Sequence, residues 1–409
     1  MDARNLSTGT IAARPRSICY VGNLVGRYVL GQWGSGFVLT LATLPEVERI
    51  DVVCPELDAG RTEDPIQYPP KVRIRAEYAL NRPLSILRVL RFLRDWSGDL
   101  VVFSCNTTSF GSRSSSNLLG LLLPLLGRRL LSKNVVLVYH SSVLTSDVER
   151  LGYSSFFDRL RSLAAARLER SLFQHVPTYV LLRYYRDRLN RCVPGGRVRS
   201  FSNEFLEAVP TVHLNRLDAP SPSTTLDRPV GSPPTILLHG YWGPQKDLDG
   251  ALEALRSLAR AGVRFDLVLS GSANPHFREY AATIDRLVTE YADLITVRAP
   301  SPAESEVAAL MLRSDVVLLP YHASGGQSGV LEISSFFDRT TVVVDFPEYR
   351  EKAANKPCVV LTPRDGMADA VRAALARPAP VPTPAQLEEK LSIAREYVRA
   401  FLRDTGAAA

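Results

Sequence analysis

Lys246 follows a glycine-containing turn, and this combination is typical of a site for a phosphate group. Residues 238–247 read Leu-His-Gly-Tyr-Trp-Gly-Pro-Gln-Lys-Asp and lie between a predicted strand and a predicted helix. A glycine such as Gly240 lets backbone amides approach an anion, and the N-terminus of the following helix adds a favourable dipole. Lys246 would supply a point charge for the phosphate. The alternative is a solvated surface lysine without a ligand.

A second loop, residues 320–332, also has a composition suited to phosphate oxygens. Three glycines and two serines occur within the six residues 324–329, which is unlike a helix. Amides and hydroxyls of such a loop can face a diphosphate. The candidate ligand-binding residues of this loop are Ser324, Gly326, Gln327, Ser328 and Gly329. Glu332 falls about one turn into the next predicted helix, where its carboxylate could accept two hydrogen bonds from a vicinal diol such as ribose. The alternative is a structural loop followed by a surface glutamate.

The first half of the chain has two weaker candidate segments. Ser35 and Gly36 belong to a glycine cluster after the first predicted strand, and a plain tight turn explains that cluster equally well. His140 stands at the carboxyl end of an apolar strand, where ligands bind in parallel sheets. It is a candidate to hydrogen-bond a ligand hydroxyl, and the alternative is a histidine that only satisfies backbone groups.

The elements that position these residues form two series of alternating strands and helices. Strands are predicted at residues 17–21, 50–53, 100–103, 135–138 and 179–182, and then at 235–239, 265–270, 294–297, 316–319, 341–345 and 359–361. Continuous apolar strands separated by helical patterns predict parallel sheets covered on both faces. The fold class is therefore α/β, with two doubly wound, Rossmann-like domains that face a cleft at the carboxyl ends of their strands.

A proline- and serine-rich stretch divides the two series. Residues from about 203 to 234 are interpreted as an interdomain linker. The predicted organisation is a first domain at 1–205, a linker at 206–234, a second domain at 235–383 and a charged amphipathic helix at 384–409. In the first domain, the first helix is predicted at about 37–44, after the glycine-rich residues 31–36.

Composition limits the partners and the compartment. The 409 residues carry a formal net charge of +7, which favours anionic partners such as nucleotide diphosphates or lipid phosphates. Five scattered cysteines without a CxxC pair favour free thiols in a reducing compartment over disulfides or a metal site. No secretory signal is visible, and the longest apolar run, 118–126, is too short to span a bilayer. These features predict a cytoplasmic protein.

Residues 118–133 allow one further partner, an anionic membrane surface. This segment joins an apolar run to Arg128, Arg129 and Lys133. Such a pattern suits an interfacial patch at the inner membrane face. It also suits a core helix between two strands with an exposed basic end, and we favour that interpretation.

The second half resembles the donor-binding domain of glycosyltransferase family 4, a family of retaining enzymes with the GT-B fold. That family has the pattern G-R-x-x-x-x-K-G after the first strand of this domain. Gly240 and Lys246 match the pattern, whereas Tyr241 replaces the arginine and Asp247 the last glycine. The family also has two glutamates separated by seven residues, and here Ser324 occupies the first position and Glu332 the second.

The resemblance covers residues 235–363 well and is weaker elsewhere. It implies that Ser35 and Gly36 are the counterparts of a glycine pair near the donor phosphates, and that His140 lies near the transferred sugar. His140, Lys246 and Glu332 are therefore the expected catalytic residues. The resemblance also implies that the terminal helix returns to the first domain.

The function implied is transfer of a sugar from a nucleotide-diphosphate sugar to an acceptor glycan, lipid-linked sugar or small molecule, with retention. Lys246 and loop amides would stabilise the leaving diphosphate, and no cofactor or metal is required. Two alternatives are a catalytically silent relative and a nucleotide-dependent oxidoreductase. Against the latter, no strand is followed by G-x-G-x-x-G with an acidic residue about 20 positions on. No nucleic-acid recognition motif accompanies the charge, so a nucleic-acid partner is not expected.

Overall fold

Two parallel β-sheets, each with helices on both faces, form the core of the molecule. The computed structural model describes residues 16–26, 31–57, 63–146, 155–202, 204–215, 231–323, 328–377 and 381–406. The described chain has a seven-stranded sheet followed by a six-stranded sheet. The predicted α/β fold class with two doubly wound domains is confirmed.

The first sheet has the strand order β3-β2-β1-β4-β5-β6-β7. Its strands are β1 (Arg16–Val21), β2 (Val47–Pro55), β3 (Val72–Tyr78), β4 (Leu100–Cys105), β5 (Val135–Tyr139), β6 (Thr178–Val180) and β7 (Val198–Ser200). Every neighbouring pair is parallel. The central strands β4 and β5 are buried along their whole length because helices cover both faces. The sequence patterns missed β3 and β7, because these edge strands interrupt their apolar residues with arginines.

The helices of the first domain are α1 (Gly31–Thr43), α2 (Pro83–Ile86), α3 (Arg88–Asp95), α4 (Ser114–Arg129), α5 (Phe156–His175) and α6 (Arg183–Cys192). Helix α1 starts six residues before its predicted start at 37, so the glycine-rich residues form its first turns. A Cβ added at Gly36 would lie 1.8 Å from the carbonyl oxygen of Leu206. These glycines therefore serve close helix packing.

The predicted linker begins with an ordered segment. A 3₁₀ turn (Leu206–Ala208) leads into helix α7 (Val209–Asn215), and both pack against α1. Leu206, Ala208 and Val212 are buried there. Residues 206–215 themselves contain one proline and no serine, but the interpretation as linker grouped them with the proline- and serine-rich residues that follow. Residues 216–230 of the predicted linker lie outside the described residues.

The second sheet has the strand order β10-β9-β8-β11-β12-β13, again with parallel pairs. Its strands are β8 (Thr235–Leu238), β9 (Asp266–Ser270), β10 (Ile295–Ala299), β11 (Val316–Leu319), β12 (Thr340–Val344) and β13 (Val359–Thr362). The helices are α8 (Leu248–Arg260), α9 (Tyr280–Glu290), α10 (Glu304–Arg313), α11 (Gly329–Phe336), α12 (Pro347–Ala353) and α13 (Met367–Leu375). All six strands lie within two residues of their predicted positions.

The last helix, α14 (Pro384–Gly406), joins the two domains. Near its start Leu387 belongs to an apolar core of the second domain. Further along, Val398 and Phe401 belong to a core of the first domain. Near its end the Tyr179 hydroxyl donates a hydrogen bond of 2.7 Å to Asp404. No described helix combines the length and apolar character that a membrane crossing needs.

Candidate functional site

A cavity of about 1310 Å³ lies between the carboxyl ends of the two sheets. The first domain lines it with residues that include Trp33, Asn106, Thr108, His140, Ser141 and Ser142. The second domain lines it with residues that include His239, Gly240, Lys246, Arg278, Ser328 and Gly329. The segments at His140 and His239 follow β5 and β8 directly, as the topology of doubly wound sheets requires.

Lys246 is a buried cation at this cavity. Its side chain lies between two aromatic rings, with Nζ 5.1 Å from the ring centroid of Trp242 and 5.7 Å from that of Tyr321. Burial lowers the pKa of Lys246 to about 8. Among the described carboxylates none forms an ion pair with it. A buried ammonium beside a polar cavity is suited to an anionic ligand, because the ligand supplies the missing countercharge.

Gly240 is required beside Lys246 for a steric reason. Its φ is +124°, and a Cβ added there would lie 2.7 Å from the Lys246 Nζ. Asp247, which stands where the resembled family has glycine, is the N-cap of α8 and accepts a hydrogen bond of 3.2 Å from the Gly250 amide. Arg364 also donates to Asp247, at 2.6 Å. Asp247 therefore caps α8 and pairs with Arg364, and it forms no ion pair with Lys246.

Three further basic side chains line the cavity and were not assigned a role from the sequence. His239 bonds through Nδ1 to the Ser270 hydroxyl at 2.9 Å, and burial together with Lys246 lowers its pKa to about 4. His276 and Arg278 lie on the turn after β9. This turn is bonded to the Lys246 loop, because the amide of Trp242 donates to the Ser272 carbonyl at 2.8 Å. Their position after a strand end was the signal that could have identified them.

His140 lines the cavity from the first domain, as the sequence predicts for a ligand-facing group. Its Nε2 bonds to the Ser104 hydroxyl at 2.8 Å, and its ring packs edge-on against Trp33 at 4.8 Å. Burial lowers the pKa of His140 to about 3. The imidazole is therefore neutral at physiological pH, which suits hydrogen bonding and makes it a weak general base.

Glu169, on α5, holds the loop that follows His140. Its carboxylate accepts hydrogen bonds from the Tyr139 hydroxyl at 2.7 Å, from the Ser142 hydroxyl, and from the Val143 amide at 3.1 Å. Burial raises the pKa of Glu169 to about 7, against the opposing effect of these bonds. The sequence did not indicate this role, because Glu169 is 27 residues away from Ser142.

Ser35 and Gly36 do not line the cavity, in contrast to their expected place near the donor phosphates. The Ser35 hydroxyl accepts a hydrogen bond of 3.0 Å from the Val25 amide and bonds to the Tyr68 hydroxyl at 2.6 Å. Both residues are on the packed side of α1. Gly31, Gln32 and Trp33, at the start of this helix, line the cavity instead.

Glu332 is also directed away from the cavity. Its carboxylate is fully buried and bonded to Lys352 at 2.7 Å and Lys356 at 2.9 Å. It also accepts a hydrogen bond of 3.2 Å from the Phe205 amide of the interdomain segment. Burial would raise the pKa of Glu332, but the two lysines outweigh it and lower this pKa to about 2. A ribose contact would require Glu332 to leave both lysines.

The second glycine-rich loop is described in part. Ser324, Gly326 and Gln327 lie outside the described residues. Ser328 and Gly329 line the cavity, and the Ser328 hydroxyl caps α11 by accepting a bond of 3.2 Å from the Leu331 amide.

Gly329 faces the first domain across the cavity. A Cβ added there would lie 3.6 Å from Gln32 Oε1 of α1 and 3.6 Å from Glu207 Cγ of the interdomain segment. Burial and the nearby Glu332 raise the pKa of Glu207 above its ordinary value. Glu207 belongs to the segment that the sequence analysis interpreted as linker, and its composition gave no sign of a cavity residue.

The described residues contain no group of three or more His, Cys, Asp or Glu side chains that could hold a metal ion. Their five cysteines are free thiols.

One family model and several solved structures are similar to this chain. The sequence model of a family described as family 4 glycosyltransferase in conflict systems matches residues 197–326, about a third of the chain. No curated protein sequence matches. Sucrose-phosphate synthase from Thermosynechococcus elongatus is similar in structure, with a TM-score of 0.66 and 16% identity over 96% of this chain and 100% of that chain.

Two further solved structures have the same architecture. HepE from Anabaena, in complex with UDP-glucose, has a TM-score of 0.61 and 14% identity, and the match covers 95% of this chain and 100% of that chain. WaaG, a glycosyltransferase involved in lipopolysaccharide biosynthesis, has a TM-score of 0.56 and 14% identity over 93% of this chain and 95% of that chain. The chain therefore has the fold of the GT-B glycosyltransferases, and across residues 197–326 it is similar to the family 4 glycosyltransferases of conflict systems.

Proposed function

We propose that the protein transfers a glycosyl group from a nucleotide-diphosphate sugar to a hydroxyl group of an acceptor. The observation that carries the proposal is Lys246, a buried cation at the cavity between the two sheets that has no described carboxylate partner. A bound diphosphate would supply the negative charge that balances the Lys246 ammonium. The solved structure of HepE with UDP-glucose gives a donor of this class for one protein of the same fold.

On the donor side, Lys246 and backbone amides would bind the diphosphate. The amides belong to the loop at Gly240 and to the start of α11 at Ser328 and Gly329. Arg278 adds a second positive charge to the lining of the cavity, and Tyr241 stands where the resembled pattern has an arginine. Charge that develops on the leaving diphosphate would thus meet fixed positive groups, which lowers the barrier to transfer.

On the acceptor side, the cavity wall includes several uncharged polar groups. Asn106, Thr108 and Ser141 present amide and hydroxyl groups, and His140 is neutral. These groups suit a polyhydroxylated acceptor such as a sugar, since each can donate and accept hydrogen bonds. Retention of anomeric configuration rests on the family resemblance alone, and we include it in the proposal on that basis.

The first test is ligand-induced thermal stabilisation with a panel of UDP-, GDP- and ADP-sugars. A ligand that binds the folded state raises the melting temperature by mass action. We expect one nucleotide class to raise it, and we expect Lys246→Met to lose most of that shift. Lys71→Met is the matched control. Lys71 donates hydrogen bonds to the Leu44 and Val47 carbonyls near the amino ends of β2 and β3, whereas the cavity lies at the carboxyl ends of the strands. No shift with any nucleotide sugar would refute the donor assignment.

A catalytically silent relative is the second candidate. Two observations favour it: Ser324 stands at the first glutamate position of the resembled pattern, and the Glu332 carboxylate is bonded to two lysines. Release of free nucleoside diphosphate, measured with the donor found in the panel and a mixture of sugar acceptors, separates the two. Release supports transfer, whereas thermal stabilisation without release over long incubation supports the silent relative.

A further inference from the structure

Helix α5 exposes four large apolar side chains on its first two turns. Phe156 is 75% exposed, Phe157 66%, Leu160 56% and Leu163 56%. We call these four residues the α5 apolar face. No other described helix exposes as many large hydrophobic side chains. Exposed apolar groups that cluster mark an interaction site, whereas single ones are ordinary.

The position of these residues on the helix shows that the face is directed outward. Phe156, Leu160 and Leu163 follow the spacing of one helix side, whereas Ala165 and Glu169 are buried on the opposite side. The start of α5 is held by a capping box at Ser155. The helix therefore packs on the sheet through one side and presents a second apolar side to the surroundings.

Charge on the same helix favours an anionic partner. Its four arginines, Arg159, Arg161, Arg167 and Arg170, are all exposed. Its two carboxylates make contacts within the protein: Asp158 belongs to the capping box and lies 3.5 Å from the Arg161 guanidinium, and Glu169 belongs to the buried network. Large apolar groups flanked by arginines are the combination by which amphipathic helices bind anionic lipid surfaces.

The α5 apolar face lies on the side of the helix opposite to the cavity. Asp158, Arg161, Ser162 and Ala165, on the other side of α5, line the cavity. Helix α4, which contains most of the segment considered for membrane contact from the sequence, is instead packed in the core through Gly120, Leu121 and Leu123. This agrees with the core-helix interpretation of that segment and leaves α5 as the exposed candidate.

We propose that the α5 apolar face docks the protein on an anionic lipid bilayer. Phe156, Phe157, Leu160 and Leu163 would enter the boundary between headgroups and acyl chains, and the flanking arginines would contact lipid phosphates. The docking itself requires no glycosyl transfer.

The test is co-sedimentation of the full chain with vesicles of phosphatidylcholine alone and with vesicles of equal parts phosphatidylcholine and phosphatidylglycerol. We expect binding to the anionic vesicles only. The double variant Leu160→Gln/Leu163→Gln should weaken that binding about tenfold or more, because two apolar side chains no longer enter the lipid. Both positions are exposed, so the melting temperature should stay close to that of the wild type.

Leu84→Gln/Val381→Gln is the matched control, since it removes two exposed apolar side chains away from α5. This control should bind vesicles like the wild type. The proposal is overturned if the wild type binds neither vesicle, if both double variants bind equally well, or if phosphatidylcholine alone binds as strongly. It is also overturned if the wild type is a dimer that Leu160→Gln/Leu163→Gln converts to monomer without any vesicle binding, because α5 would then join two copies. Vesicle binding without any nucleotide-sugar shift would leave docking supported and the proposed transfer refuted.

Discussion

Lys246 illustrates how burial sets the chemistry of a single residue. Its ammonium lies beside two aromatic rings, and desolvation lowers its pKa to about 8. A bound diphosphate would stabilise the charged form and raise this pKa again. Binding should therefore be coupled to proton uptake near pH 8.

The affinity for the preferred nucleoside diphosphate should fall as pH rises through about 8. Between pH 7 and about pH 9 we expect a loss of about tenfold, since Lys246 is mostly neutral at the upper value. Isothermal titration calorimetry at both pH values measures this. Lys246→Met should bind weakly at both, with little dependence on pH. An equal loss in wild type and variant would assign the titration to another group.

The raised pKa of Glu169 predicts a pH dependence of folding stability. Its pKa is raised by burial to about 7, above the ordinary value of 4.5, so folding takes up a proton between these two values. The contribution to stability is then present at low pH and is lost as pH rises through 7. Relative to Glu169→Gln, the wild type should lose about 2 to 3 kcal/mol of unfolding free energy between pH 5 and pH 8.

Urea denaturation of both proteins at the two pH values tests the role of Glu169. The comparison cancels the titration of other groups, which is common to both chains. A constant difference between wild type and Glu169→Gln would show that Glu169 is ionised, or solvated, throughout.

At the scale of elements, the start of α1 depends on glycine for contact with the interdomain segment. Gly36→Ala would drive a Cβ against the Leu206 carbonyl and displace either α1 or the 3₁₀ turn. We expect a loss of about 1 to 3 kcal/mol, as for overpacking in a core. Gly127, inside α4, is the control, because an added Cβ meets only the Val135 and Leu93 side chains at 3.5 and 3.8 Å.

Gly127→Ala should raise stability by about 0.5 to 1 kcal/mol, since alanine is the better helix former. Chemical denaturation of both variants measures the contrast. If Gly36→Ala also gained stability, the close approach of α1 to residue 206 would not exist in solution.

Buried strands were predictable from the sequence, and edge elements were not. The strand β11 has four consecutive apolar residues, as a strand covered on both faces requires. The edge strand β3 alternates valine and isoleucine with arginine, so its hydrophobic run is broken. The segment at 206–215 escaped prediction because its few apolar residues gain their burial from α1 and the second domain.

At the scale of the whole molecule, hydrogen bonds among the described residues help to join the two domains. The Phe205 amide donates to Glu332, the Tyr185 hydroxyl donates to Glu348 at 3.1 Å, and Glu351 accepts from two amides at the start of α6. Helix α14 adds a further connection. These contacts determine how the cavity surface of the second domain, which contains Lys246, faces the cavity surface of the first domain, which contains His140.

Phe401 tests the contribution of α14 to the first domain. Its ring contacts Tyr179 and Phe201, each at 4.9 Å between centroids, although it follows the second domain in sequence. Phe401→Ala should lower stability by about 3 to 5 kcal/mol. Tryptophan fluorescence during denaturation measures this loss. Two of the three tryptophans, Trp33 and Trp96, belong to the first domain, so the signal reports mainly the unfolding of that domain. Leu130→Ala, at a 72% exposed position of the same domain, should change stability by less than about 0.5 kcal/mol.

The sequence by itself determined the fold class, the strands of the second domain and the candidate phosphate-binding positions at Gly240 and Lys246. The local pattern was sufficient for these features, because consecutive residues specify a buried parallel strand and a glycine-containing turn before a helix. Tertiary structure decided the rest. Glu332 follows a loop that suggests a ligand contact, yet Lys352 and Lys356, about 20 residues later, bond its carboxylate. A buried carboxylate pairs with the cations that the fold brings beside it, here Lys352 on α12 and Lys356 after α12, and the sequence near Glu332 does not identify them.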